Sequence, residues 1–169
     1  MKLKRAKLKR GNTLVEAALL IPLIILLLVG MVQIARITYV YYTLRKTVYS
    51  IARYVGTQQG VNFCDAGDPA ITSGINFGLT GTTDASQEIF VNGLTPAMIV
   101  VTAERYNTIS QSMSVCSCSI DGCDAAQGGG SPDFIVVSVR GYRVPVRIPG
   151  ISIDPITLGP QVKVPYAGT

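Results

Sequence analysis

Glu16 is the residue whose position most needs a chemical reason. It sits near the start of residues 14–35, LVEAALLIPLIILLLVGMVQIA, a stretch with no Lys, no Arg and no other acid. A carboxylate at the end of a membrane helix is costly, and it marks function by default. Just upstream, a basic tract ends in Arg10-Gly11. Gly11 has no side chain, so a protease can approach its backbone closely. A cut after Gly11 would remove the positive leader and leave the apolar segment on the mature chain. Asn12 would become the new terminus, with Glu16 as its fifth residue.

The other chemically able residues are Cys64, Cys116, Cys118 and Cys123, all downstream of the apolar stretch. An even count in an oxidising compartment points to two disulfides. A Cys116–Cys118 bridge would enclose a single residue and is the least comfortable geometrically. That leaves Cys64 joined to Cys116 or to Cys118, with Cys123 taking the other. A zinc site is the competing reading, but C-x-C-x4-C has no C-x2-C pair and the chain has no His. Asp65, Asp68, Asp121 and Asp124 lie in Gly-containing loops without EF-hand spacing, and they read as turn residues rather than calcium ligands. No metal or other cofactor is expected. Catalysis is not expected either: His is absent, and G-x-S-x-G, H-E-x-x-H and Walker patterns are missing. Gly128-Gly129-Gly130 reads as a flexible loop, because no Lys and no helix follow it as a phosphate cradle requires.

Charge is distributed in a way that argues for topology. Lys2, Lys4, Arg5, Lys7, Lys9 and Arg10 account for six of the 15 basic residues, and the rest of the chain nearly balances, with nine basic and ten acidic residues. A nucleic-acid binder would keep its basic patch on the folded domain, so no nucleic-acid partner is expected. Fourteen Leu, Ile or Val residues in 14–35 favour membrane insertion by about 4–8 kcal/mol, against about 3 kcal/mol at most for Glu16. Twenty-two helical residues reach about 33 Å, which matches a hydrocarbon core of about 30 Å. The positive-inside bias places the N-terminus in the cytoplasm and residues 36–169 outside.

Leader, Gly11 and Glu16 together resemble the prepilin signal of type IV pilins and their relatives. Arg10-Gly11, Val15-Glu16, Ala18-Leu19, Pro22, the Leu run, Gly30 and Arg36, with the later Ala52-Arg53-Tyr54 and Gly56, resemble the N-terminal signature of TadE-like proteins of the Tad (Flp) pilus. Ala17 departs from the Tyr that some Tad prepilins carry after the Glu. The resemblance implies cleavage by a prepilin peptidase between Gly11 and Asn12. It also implies a role for Glu16 in assembly, its carboxylate pairing with the Asn12 amine of a neighbouring subunit. The expected function is that of a non-enzymatic minor pilin or pseudopilin, because the major Flp pilins are far shorter. Its partners would be other pilin-like subunits and the pilus assembly platform, and its role adherence and biofilm formation. The expected location is the bacterial inner membrane, with a periplasmic C-terminal domain that enters the extracellular pilus or stays at its base. The alternatives are a pseudopilin of a type II secretion or DNA-uptake system, or a signal-anchored periplasmic binding protein or enzyme indifferent to Gly11.

Positioning these residues falls to an α+β chain. A leader over 1–11 precedes a helix over 12–57, since Ile37, Val40, Leu44, Val48, Ile51 and Val55 continue the helical period beyond the apolar stretch. Pro22 removes one backbone hydrogen bond and is expected to kink it. Tyr39, Tyr41 and Tyr42 suit a membrane interface, while Tyr49 and Tyr54 are expected to pack on the outer domain. That domain, 58–169, reads as a small antiparallel sheet. Residues 57–82 read as loop, and Asp84 with Gln87 resembles a capping box opening a helix near 85–92 that Gly93 closes. Strands are expected at 97–106, 133–148 and 157–165, with Pro145 at an edge or bend.

Overall fold

The computed structural model describes the backbone of residues 4–148 and 151–168, and the side chains of residues 14–146 and 153–168. The chain divides into two compact units, one of residues 1–38 with 145–155 and the other of residues 39–144 with 156–169. Its architecture is α+β: a long apolar helix followed by a small antiparallel sheet domain.

The first unit contains the N-terminal part of helix α1 (Lys4–Gly56) and a short hairpin, β5 (Arg147–Ile148) with β6 (Ile151–Ser152). Among the described residues α1 is the one helix long and apolar enough to cross a membrane, by length and composition. Helix continues through Pro22. From Leu14 to Ile34 the large apolar side chains are exposed, except for half-buried Val29, an arrangement compatible with single-pass membrane anchoring.

In the second unit the remainder of α1 becomes amphipathic. Leu44, Thr47, Val48, Ile51, Ala52 and Val55 are buried and recur every three or four residues. Helix α2 (Pro69–Thr80) packs on this stretch. Asp68 caps it through the Ala70 N–H at 2.8 Å, Pro69 occupies its first turn, and Gly81 ends it with φ of 83°. Gly74 and Gly78 set the closeness of approach. A Cβ on Gly78 would overlap the Ile51 side chain and lie 3.1 Å from the Thr47 carbonyl, and one on Gly74 would meet Val55 and Tyr54. Tyr54 and Phe77 stack across the same contact, with ring centroids 5.4 Å apart.

The main sheet has the order β2-β1-β3-β8, antiparallel throughout, from β1 (Ile99–Asn107), β2 (Ser112–Val115), β3 (Phe134–Val139) and β8 (Gln161–Pro165). Central strand β3 is the most apolar, and its Ile135, Val137 and Val139 are buried in the core with Ile99 and Ala103 of β1. Strand β4 (Tyr142–Val144) pairs with β7 (Ile156–Leu158).

Three local expectations are corrected. Residues 69–80, read as loop, are helical. The helix expected near 85–92 does not form: Asp84 accepts the Ser86 N–H at 3.2 Å in an Asx-type turn, and Ala85 takes a left-handed φ of 55°. The strand expected over 133–148 is divided. Gly141, with φ of 74°, separates β3 from β4, and Pro145 separates β4 from β5.

Candidate assembly site

Gly11, Asn12 and Glu16 share the helical backbone of α1. The surroundings of Gly11 and Asn12 fall outside the described residues. Asn12 and Glu16 are four residues apart and therefore lie on one helix face. Five residues of rise separate Gly11 from Glu16 by about 7.5 Å along the axis. The Glu16 side chain is exposed, flanked one turn on by exposed Leu19 and Leu20.

The cysteines form a second cluster, in the loop region of the second unit. Cys64 bridges Cys118 with Cα atoms 5.5 Å apart, and Cys116 bridges Cys123 at 5.6 Å. Strand β2 positions the pair: just past its end, the Cys116 N–H donates to the Ala103 carbonyl of β1 at 2.9 Å. The Cys64–Cys118 bridge fastens the segment leaving α1 to the segment leaving β2.

Aspartates reinforce the same junction. Asp124 is nearly fully buried and accepts from the Ala126 N–H and Gln127 Nε2, each at 3.0 Å, and from Asn62 Nδ2 at 3.4 Å. Asp68 divides its oxygens between the α2 cap and the Asn62 N–H at 3.0 Å. Asp65 accepts the Gly67 N–H at 2.8 Å. Their oxygens hold loop backbone. Asp121 differs: it lines an open polar cavity of about 500 Å³ with Arg105, Asn107 and Ser114.

The sequence reading missed the link from Asn62 to Asp124. No local spacing signals a link over 62 residues; Asp124-Ala125-Ala126 makes only the Ala126 N–H bond readable. Tyr49, expected to pack on the domain, is instead 50% exposed, whereas Tyr54 is half-buried against Phe77.

Residues 11–53 match the model of a family described as TadE-like protein. The match opens on Gly11, includes Glu16 and ends three residues before α1 does. No curated protein and no solved structure matches the chain.

Proposed function

We propose that this chain, TadE-like along its α1 helix, is a structural, non-enzymatic pilin-like subunit that takes part in assembling a Tad-type pilus. The observation that carries the reading is the TadE-like match over 11–53 coinciding with a Gly11–Glu16 spacing on one exposed, apolar helix.

In this reading a prepilin peptidase removes residues 1–11 on the cytoplasmic side. The mature chain keeps the apolar part of α1 in the inner membrane and displays residues 58–169 in the periplasm. The six leader cations support that orientation. Glu16 then receives the Asn12 amine of a neighbouring subunit, which neutralises a charge that hydrocarbon would otherwise penalise. Disulfides at Cys64, Cys116, Cys118 and Cys123 fit an oxidising periplasm. The assembled pilus serves adherence and biofilm formation.

The test is the mass of the N-terminus in membranes from cells with and without prepilin peptidase. A terminus at Asn12, lost in the peptidase mutant and in Gly11→Leu, is the expected result. An intact leader in cells with active peptidase would overturn the reading. Glu16→Gln should still be cut but should fail to enter assemblies, because removing the charge removes the pairing and not the scissile bond.

A further inference from the structure

Between Glu16 and Asp65 the sequence contains no acid at all, yet it carries Arg36, Arg45, Lys46 and Arg53. The last three lie in the second unit and are not spent on the fold. Arg45, Lys46 and Arg53 are exposed, and the ion pair found among the described residues is Lys163–Glu104, far along the sequence. Tyr42 (62% exposed) and Tyr49 (50% exposed) alternate with Lys46 and Arg53 at steps of four, three and four. That spacing places all four on one stripe of α1, opposite the buried one. Beside the stripe runs a groove of about 330 Å³, floored by Gly78 and Gly81, with Lys46 on its α1 wall and Phe77 and Phe90 on the other side. Phe90 is 67% exposed, a large apolar ring that the domain itself does not cover.

We propose that this basic, tyrosine-rich stripe with its adjoining phenylalanine-lined groove is the docking surface for an amphipathic helix that bears acidic residues and belongs to a different protein chain. Charge complementarity selects the occupant. A second copy lacks such a helix, since α1 carries a single acid, Glu16, and α2 carries none. A helix with Asp or Glu at three- and four-residue steps would meet Lys46 and Arg53 and place an apolar side chain in the groove. Tyrosines supply contact area at low entropic cost. Anionic lipid is a poorer match. Lys46 lies eleven helical residues beyond the apolar stretch, about 16 Å along the axis, against a screening length of about 8 Å at physiological salt.

The experiment places a photoreactive benzophenone side chain at Tyr49 in the full-length, membrane-embedded protein and sequences the cross-linked peptide. The expected adduct is with another chain, through a segment with Asp or Glu at helical spacing. Lys46→Glu with Arg53→Glu should reduce its yield on the order of tenfold, and changing the partner's acids to Lys should restore it. Phe90→Ser should reduce it as well, and that variant decides the matter if the charge reversal impairs folding. An adduct with a second copy, an adduct with lipid only, no adduct, or a yield indifferent to the substitutions would each overturn the proposal. The proposal rests on the assembly reading above, but the two fail separately: the mass of the N-terminus reports cleavage whatever the cross-link shows.

Discussion

Tyr166 donates its phenol hydrogen to the Gln58 carbonyl at 2.9 Å and meets Phe63 edge-on, with ring centroids 5.5 Å apart. Its own N–H reaches the Asp133 carbonyl at 3.0 Å, and the next N–H, of Ala167, reaches that of Gly56 at 2.9 Å. The last residues of the chain thus latch onto the exit of α1. Burial pushes the phenol above its ordinary value of 10.0, with Asp68 adding to the effect. A group raised on folding contributes stability that is fully present below the unfolded value and is lost as pH rises through the folded one. Wild type should therefore lose stability above pH 10.0 more steeply than Tyr166→Phe, and the phenolate difference spectrum between them should titrate above that value. Titration at or below it would contradict this latch. At neutral pH the same substitution should cost about 1 kcal/mol, the net worth of one hydrogen bond.

Glycine at α2 decides how near two helices come. Gly78→Ala gains about 1 kcal/mol of helix propensity but drives a Cβ into Ile51, and overpacking of this kind costs about 1–3 kcal/mol. The net change should be destabilising in denaturant unfolding, and Gly78→Leu should be worse. Ile51→Ala alone should cost about 2–5 kcal/mol, but with Ile51 truncated the penalty of Gly78→Ala should shrink to what the close Thr47 carbonyl imposes. If the two effects simply add, the helices are not in contact there. This element also shows what the sequence could and could not reveal. The Asp68-Pro69 cap and the left-handed Gly81 were visible signals, but the Ser, Thr, Asn and Gly content of Pro69–Thr80 reads as loop by propensity. Its glycines serve packing, a tertiary effect that propensity does not register. At residues 85–92 the error ran the other way. Asp84 and Gln87 have capping-box spacing, yet Ile89, Phe90 and Val91 disfavour helix by their branching and bulk, and Asp84 bonds to Ser86 instead. The apolar period of α1 was fully legible, because insertion into lipid and packing on a domain both write themselves as hydrophobic pattern. The four cysteines announced two bridges, but sequence could not choose between Cys116 and Cys118 for Cys64, since they are two residues apart and both lie at the end of β2.

At the scale of the whole chain, no large apolar side chain of residues 14–35 is buried, and the hydrophobic core begins at Leu44. The core therefore owes nothing to the apolar stretch, and a fragment of residues 36–169 should be soluble and fold cooperatively in an oxidising buffer. Its stability should depend strongly on the bridges. Cys64–Cys118 has a sequence separation of 54 and Cys116–Cys123 one of 7, which correspond in the chain-entropy model to about 4 and about 2.5 kcal/mol. Small domains have only about 5–15 kcal/mol in total, so losing the long bridge removes a large share. Cys64→Ser with Cys118→Ser should lower the unfolding midpoint of the fragment well below that of Cys116→Ser with Cys123→Ser, and reduction of both bridges should leave it largely unfolded at growth temperature. The longer loop dominates because it fastens the exit of α1 to the end of β2, so that without it the helix and the sheet are joined only by packing and by the hydrogen bonds that reach Gly56, Gln58 and Asn62. Equal midpoints for the two double variants would mean that the unfolded chain is already compact enough to make loop length irrelevant, and the long bridge would then be no more than a local clasp.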